Sequence, residues 1–183
     1  EYGYEIMIAE AINWLITIII ALFTQKIIET IVYMLAFMRL RGALGGFHAK
    51  SHWGCIIIST VVYLLCLLIA VLTPVKIYWI LITAGLILHT VLVLTIAPVA
   101  HPNKPFINEA ERLKFRKKSI RLSVIYSVIT MILTALPWEI LKIYGYCIVL
   151  GMLSSSISMA IEYTTGQKNK NTLQEGGAGD EKS

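Results

Sequence analysis

Seventeen residues, Arg39 to Cys55 (RLRGALGGFHAKSHWGC), concentrate the side chains of this chain that are equipped for chemistry. They include His48 and His52 of four histidines, Cys55 of three cysteines, four of twelve glycines, and the cations Arg39, Arg41 and Lys50. A cysteine reacts as its thiolate, which a helix N-terminus or an adjacent cation favours, and a nearby histidine serves it as base. Cys55 is expected in the first turn of a helix, where backbone N–H groups point outward unpaired. Local spacing favours His52 as the base, because i,i+3 residues are neighbours on a helix. His48 lies roughly 10 Å of helical rise away and meets Cys55 only if the chain folds back, which Gly45-Gly46 and Gly54 permit. Two other readings stay open. His48, His52 and Cys55 fall at i, i+4 and i+7 and would set three zinc ligands on one helix face, though no fourth ligand and no HExxH glutamate accompanies them. The blander reading is a polar turn at a membrane surface, its cysteine a small buried hydrophobe.

The elements flanking this stretch are very apolar. The chain is 57% hydrophobic and 15% charged with a mean hydropathy of +0.72, against ~45–50% and ~25% in soluble domains. Apolar blocks near the bilayer-spanning length of about 20 residues run over 6–23, 55–73, 77–97, 120–136 and 140–161, with a shorter run over 27–40 broken by Glu29 and Thr30. Six helices follow, and the fold class is an all-α integral membrane protein with a short catalytic loop between the second and third. The first block carries Glu10 and Asn13 in its early turns; Glu10 reads as interfacial, and deeper in the bilayer it would be a functional candidate. Pro74, Pro98 and Pro137 end blocks. Prolines 98, 102 and 105 enforce an extended loop, after which Asn108 and Glu111 form a capping-box signature for a short surface helix at anionic headgroups. Residues 1–165 form one transmembrane domain, and 166–183 a polar tail expected to be disordered. The chain opens at Glu1 without methionine, so its true start is expected upstream; no removable signal peptide is visible.

Charge gives the orientation. Lysines and arginines number three in 39–54 and seven in 99–121, against one each near 26, 76 and 142. Basic residues collect in cytoplasmic loops, so both termini and the catalytic loop are expected inside a cell membrane. The net charge of +5 then reflects topology and lipid rather than nucleic acid. Cysteines 55, 66 and 147 form no disulfide pattern; Cys66 and Cys147 read as inert core thiols. His89 and His101 read as packing and loop residues. Serines 154, 155, 156 and 158 give the last helix small faces for close packing.

The order Arg41, Gly45-Gly46, His48 and Cys55, with the EYG-type opening and the APV..HPNKP segment, resembles the accessory gene regulator B (AgrB) peptidases of Gram-positive quorum sensing. The resemblance covers nearly the whole chain. It implies that His48 and Cys55 are the catalytic pair, overruling the local preference for His52, and that Arg41 and Gly46 support activity. It implies cleavage of a small AgrD-type propeptide with an amphipathic leader lying on the bilayer. Cys55 attacks the scissile carbonyl, an acyl-thioester forms, and a propeptide cysteine closes a thiolactone ring. Arg41 suits a substrate carboxylate or developing negative charge, or is an ordinary cytoplasmic anchor. Lys104 and the basic run 112–121 suit acidic propeptide residues, though such runs are more often positive-inside anchors. Phe47 and Trp53 suit exclusion of water from the acyl-enzyme. No cofactor is expected, and whether the protein works as a homodimer is left open. The alternative function is a non-enzymatic peptide exporter or accessory subunit.

Overall fold

The computed structural model describes residues 2–45, 52–99 and 108–180, without the side chains of 2–7, 9–10, 52–53 and 166–180. These residues form six helices: α1 Tyr2–Thr24, α2 Ile27–Leu44, α3 His52–Leu72, α4 Tyr78–Ile96, α5 Glu109–Ala135 and α6 Glu139–Asp180. A single 3-10 turn, Val75–Ile77, leads into α4. Four stretches are long and apolar enough to cross a membrane: Gly54–Leu72, Val75–Ile96, Glu109–Ala135 and Glu139–Thr165. A shorter apolar segment, Ala11–Thr24, lies in α1. Helices suit a bilayer because each satisfies its own backbone polar groups where no water can.

The bundle is built around α6. Its spanning stretch is 61% buried, against 17–22% for the other three, and it touches α2, α3, α4 and α5. Small residues allow this. A Cβ on Gly151 would stand 2.7 Å from the Tyr33 carbonyl oxygen and 3.1 Å from Ala36 Cβ, so α2 and α6 cross nearly backbone to backbone, as small residues permit in membranes. Ser154, Ser155 and Ser156 are buried on α6 as expected. The outward residues of α3 to α5, such as Leu68, Val71, Ile87, Val91, Val128 and Met131, are exposed and apolar, which is the surface that lipid tails cover.

Two elements are longer than the apolar pattern suggests. α2 continues past Leu40 to Leu44, because arginine and alanine propagate a helix as well as leucine does. The surface helix and the fifth block are one element: α5 runs unbroken from Glu109, since no glycine or proline separates the basic face from the apolar stretch. Its start falls at Asn108 as expected. The capping box is not closed, however. The Asn108 side chain makes no cap bond; instead its carbonyl accepts from the Glu111 and Arg112 N–H groups at 3.1 and 3.2 Å. The backbone of α6 stays helical to Asp180, through the polar segment read as a tail, while its spanning stretch stops at Thr165.

The turns come in two sets. Gln25, at φ +55°, closes the α1–α2 turn, with the Lys26 N–H on the Ala21 carbonyl at 3.0 Å and Lys26 paired to Glu29 at 3.2 Å. At the other end α2 stops at Gly45, φ +75°, whose N–H returns to the Arg41 carbonyl. Any Cβ there would overlap the Val99 carbonyl oxygen. The Val99 N–H donates to the Leu44 carbonyl at 3.0 Å, and the Ser119 hydroxyl to that of Ala43 at 2.8 Å. The exits of α2 and α4 and the basic start of α5 therefore meet at one end of the bundle.

Candidate active site

Cys55 is the fourth residue of α3. It stands in the first turn, where backbone N–H groups lack helical partners, as the sequence predicts. Its side chain is half-buried and unbridged. Arg41 reaches it from the last turn of α2: Nη2 donates to Cys55 Sγ at 3.3 Å, and Nη1 to Ser59 Oγ at 3.3 Å. The guanidinium carbon also lies 5.5 Å from the centre of the Phe37 ring. Phe37 and Arg41 are i,i+4 on α2, and Cys55 and Ser59 are i,i+4 on α3. Two helix faces thus set a forked cation against a thiol and a hydroxyl, the geometry in which arginine surpasses lysine.

Beneath this pair is a cleft of about 260 Å³ walled by α2, α3 and α6. Phe37, Ile58, Val62, Leu65, Ile157 and Ile161 form its apolar walls. Arg41, Cys55 and Ser59 stand at one end. Three turns further along α3, Cys66 lies against Ser154 Oγ at 3.4 Å, and the Tyr33 hydroxyl donates to the same oxygen at 3.2 Å. Cys66 is therefore not sealed in a core, as its apolar neighbours in sequence suggest; it lines the same cleft as Cys55. Cys147 is buried as expected.

His48, Gly46 and Lys104 lie outside the described residues, as do Phe47 and His101; the side chains of His52, Trp53 and Glu10 do as well. No cluster with metal-ligand character occurs among the described residues. Of the expected site residues, the structure brings Arg41 and Cys55 together. Sequence reasoning passed over Ser59, which its i+4 spacing from Cys55 signals. It also passed over the role of Ser154 and Ser158 as cleft residues, which no local pattern signals because they come from α6. Asn13, in the early turns of α1, is buried, and its side-chain oxygen has no hydrogen-bond partner.

A second polar group lies on the opposite side of α6. His89 is fully buried. Its Nδ1 stands 3.2 Å from the Met152 carbonyl and 2.5 Å from Ser156 Oγ, and its Nε2 2.9 Å from Ser123 Oγ. A carbonyl only accepts, so Nδ1 carries the proton and Nε2 accepts from Ser123. The imidazole ties α4 to both α5 and α6, a packing role as expected.

Residues 1–159 match the family model described as AgrB, accessory gene regulator B. An AgrB-like protein of Listeria innocua serovar 6a is 26% identical over 145 residues, which cover 79% of this chain and 70% of that protein. No solved structure matches. A match that covers the first five helices and runs well into α6 identifies a membrane protein involved in accessory gene regulator autoinducer processing: the chain belongs to the AgrB family.

Proposed function

We propose that the protein is a cysteine endopeptidase and peptide cyclase acting on an AgrD-like propeptide at the cytoplasmic face of the membrane. The observation that carries the reading is the Arg41 N–H on Cys55 Sγ at 3.3 Å, beside an open cleft. A guanidinium there stabilises negative charge on the sulfur before attack and on the carbonyl oxygen during it. The first-turn N–H groups of α3 offer further donors to that oxygen.

His48 is the base in this reading, as the family resemblance implies, with Gly46 permitting the turn that brings it to the thiol. The thiol proton passes to the imidazole as sulfur bonds the scissile carbon. The same proton then leaves on the departing amine as the C–N bond breaks, giving an acyl-thioester on Cys55. A propeptide cysteine thiol next attacks that carbonyl, Cys55 departs and regains a proton through His48, and a thiolactone closes. One thioester replaces another, so the exchange is nearly balanced in energy. Hydrolysis is downhill, and exclusion of water at a membrane edge decides the product. Lys104, in a basic segment of the sequence, holds acidic propeptide residues.

Orientation follows from charge: the ends of α2 and α4 and the start of α5 share one end of the bundle, and the basic segments beside them are held inside. The test is co-expression with the AgrD-like propeptide followed by mass spectrometry. The parent chain releases the C-terminal part and a cyclic product, while Cys55→Ala leaves the precursor whole. An exporter without enzymatic activity would tolerate that substitution, and uncut precursor in the parent would also reject the reading.

A further inference from the structure

The cleft has a shape and lining that the chemistry at Cys55 does not itself require. We propose that it is a specificity pocket for one bulky apolar side chain of the substrate, that of the residue supplying the scissile carbonyl. The inference rests on Cys55 being the nucleophile. It assigns the substrate class at that position and the residues that select it.

The cleft starts at the nucleophile, with Cys55 in its wall. Once sulfur is bonded to the carbonyl carbon, the nearest substrate side chain is the one on the adjoining α-carbon, and it remains tethered there for the life of the acyl-enzyme. The leaving segment has no such tether. From Cys55 to Cys66 the cleft follows α3 for roughly 16 Å. Along this length the walls are Phe37, Ile58, Val62, Leu65, Ile157 and Ile161. A charged or amide side chain would shed its water against these walls for little return. An aromatic ring or branched aliphatic group gains from the same exchange.

Size agrees with this choice. A dry apolar cavity of ~150 Å³ accepts a benzene ring, and the cleft is about 260 Å³. Serines at 59, 154 and 158 supply the room, because larger residues at those helix positions would fill it. Shielding follows too: a side chain seated here fills the space beside the thioester that water entering from the mouth would otherwise occupy. A lipid acyl chain would also suit the apolar walls. The thiol at the mouth favours a peptide, since only a substrate has a reason to place its carbonyl there.

The experiment varies both partners, using full-length protein in phosphatidylglycerol-containing vesicles and propeptides differing only at the residue before the cut. With the parent chain, Phe or Leu at that residue is processed 10–200-fold faster than Ala. Val62→Phe narrows the cleft and shifts the preference toward Ala by at least tenfold. Val62→Ala widens it and favours the largest rings. A readout independent of cleavage is alkylation of Cys55, located by mass spectrometry: Val62→Phe slows N-benzylmaleimide but not iodoacetamide. Unchanged preference in both Val62 variants, with cleavage still dependent on Cys55, overturns the pocket and leaves the peptidase reading standing. Cleavage that survives Cys55→Ala overturns both. Uniform slowing of every propeptide by Val62→Phe, with loss of a co-purifying lipid, identifies a lipid seat instead and also overturns the pocket.

Discussion

Two polar groups sit within this apolar bundle, on opposite sides of α6, and they are finished differently. Around His89 every partner is inside: Ser123, Ser156 and the Met152 carbonyl satisfy both ring nitrogens, and the ring is fully buried. Around Cys55 the arrangement is open. The thiol is half-buried, its arginine forks between sulfur and Ser59, and a cleft separates it from α6. A saturated polar network in low dielectric rigidifies what it joins, and an accessible one is a candidate site. The same helix, α6, supplies serines to both, so residue type alone does not separate the two roles.

The contrast breaks first at the sulfur. Cys55→Ala is expected to lower propeptide cleavage by about 10⁴-fold or more, whereas His89→Leu leaves cleavage per folded molecule within a few-fold. If His89→Leu abolished cleavage in protein that still folds and stays monodisperse in detergent, the two regions would not be separate.

Arg41 comes next. Arg41→Ala is expected to cost about 10²–10³-fold in cleavage rate, as removal of one charge-stabilising donor does. Arg41→Lys restores only part, since a single ammonium does not span both Sγ and Ser59 Oγ. Full rescue by lysine in initial-rate assays would reduce Arg41 to an anchoring charge.

On stability the order reverses. His89→Leu leaves the Ser123 hydroxyl without its acceptor and changes the packing of three helices, for a loss of about 2–4 kcal/mol in reversible unfolding in detergent. Gly45→Ala forces a side chain into left-handed backbone and against the Val99 carbonyl. It costs at least ~1–2 kcal/mol and loosens the join between α2 and the Ala97–Val99 segment, read as a lower Tm. The smallest change is Ser59→Ala, expected to cost a few-fold in rate and well under 1 kcal/mol, because its bond to Arg41 is only part-buried. An effect as large as that of Arg41→Ala would give Ser59 a direct part in the chemistry.

Much of the fold was legible. Apolar runs of membrane length announce their helices whatever their neighbours, and Pro74, Pro98 and Pro137 mark breaks that no packing can undo. The unbroken α5 was less legible, because a basic amphipathic turn and an apolar span look like two texts when read by hydropathy and one when read by helix propensity. The site was half legible. Cys55 at a helix start and Arg41 nearby could be picked out as reactive and cationic types. Their contact could not, since the two lie on different helices joined through residues 46–51.

Sequence by itself determined the material of this protein: an all-helical membrane chain, a basic end, a glycine-flanked polar stretch, and one cysteine placed in a first helical turn. Tertiary structure alone decided which polar residues are closed off and which are left open. Helical periodicity says which residues share a face, but whether that face meets a partner helix or a gap depends on how closely distant helices approach. Gly151 against Tyr33 brings α6 to α2, whereas α3 stands away from α6 around the cleft. That unequal spacing leaves Cys55 and Arg41 accessible and seals His89.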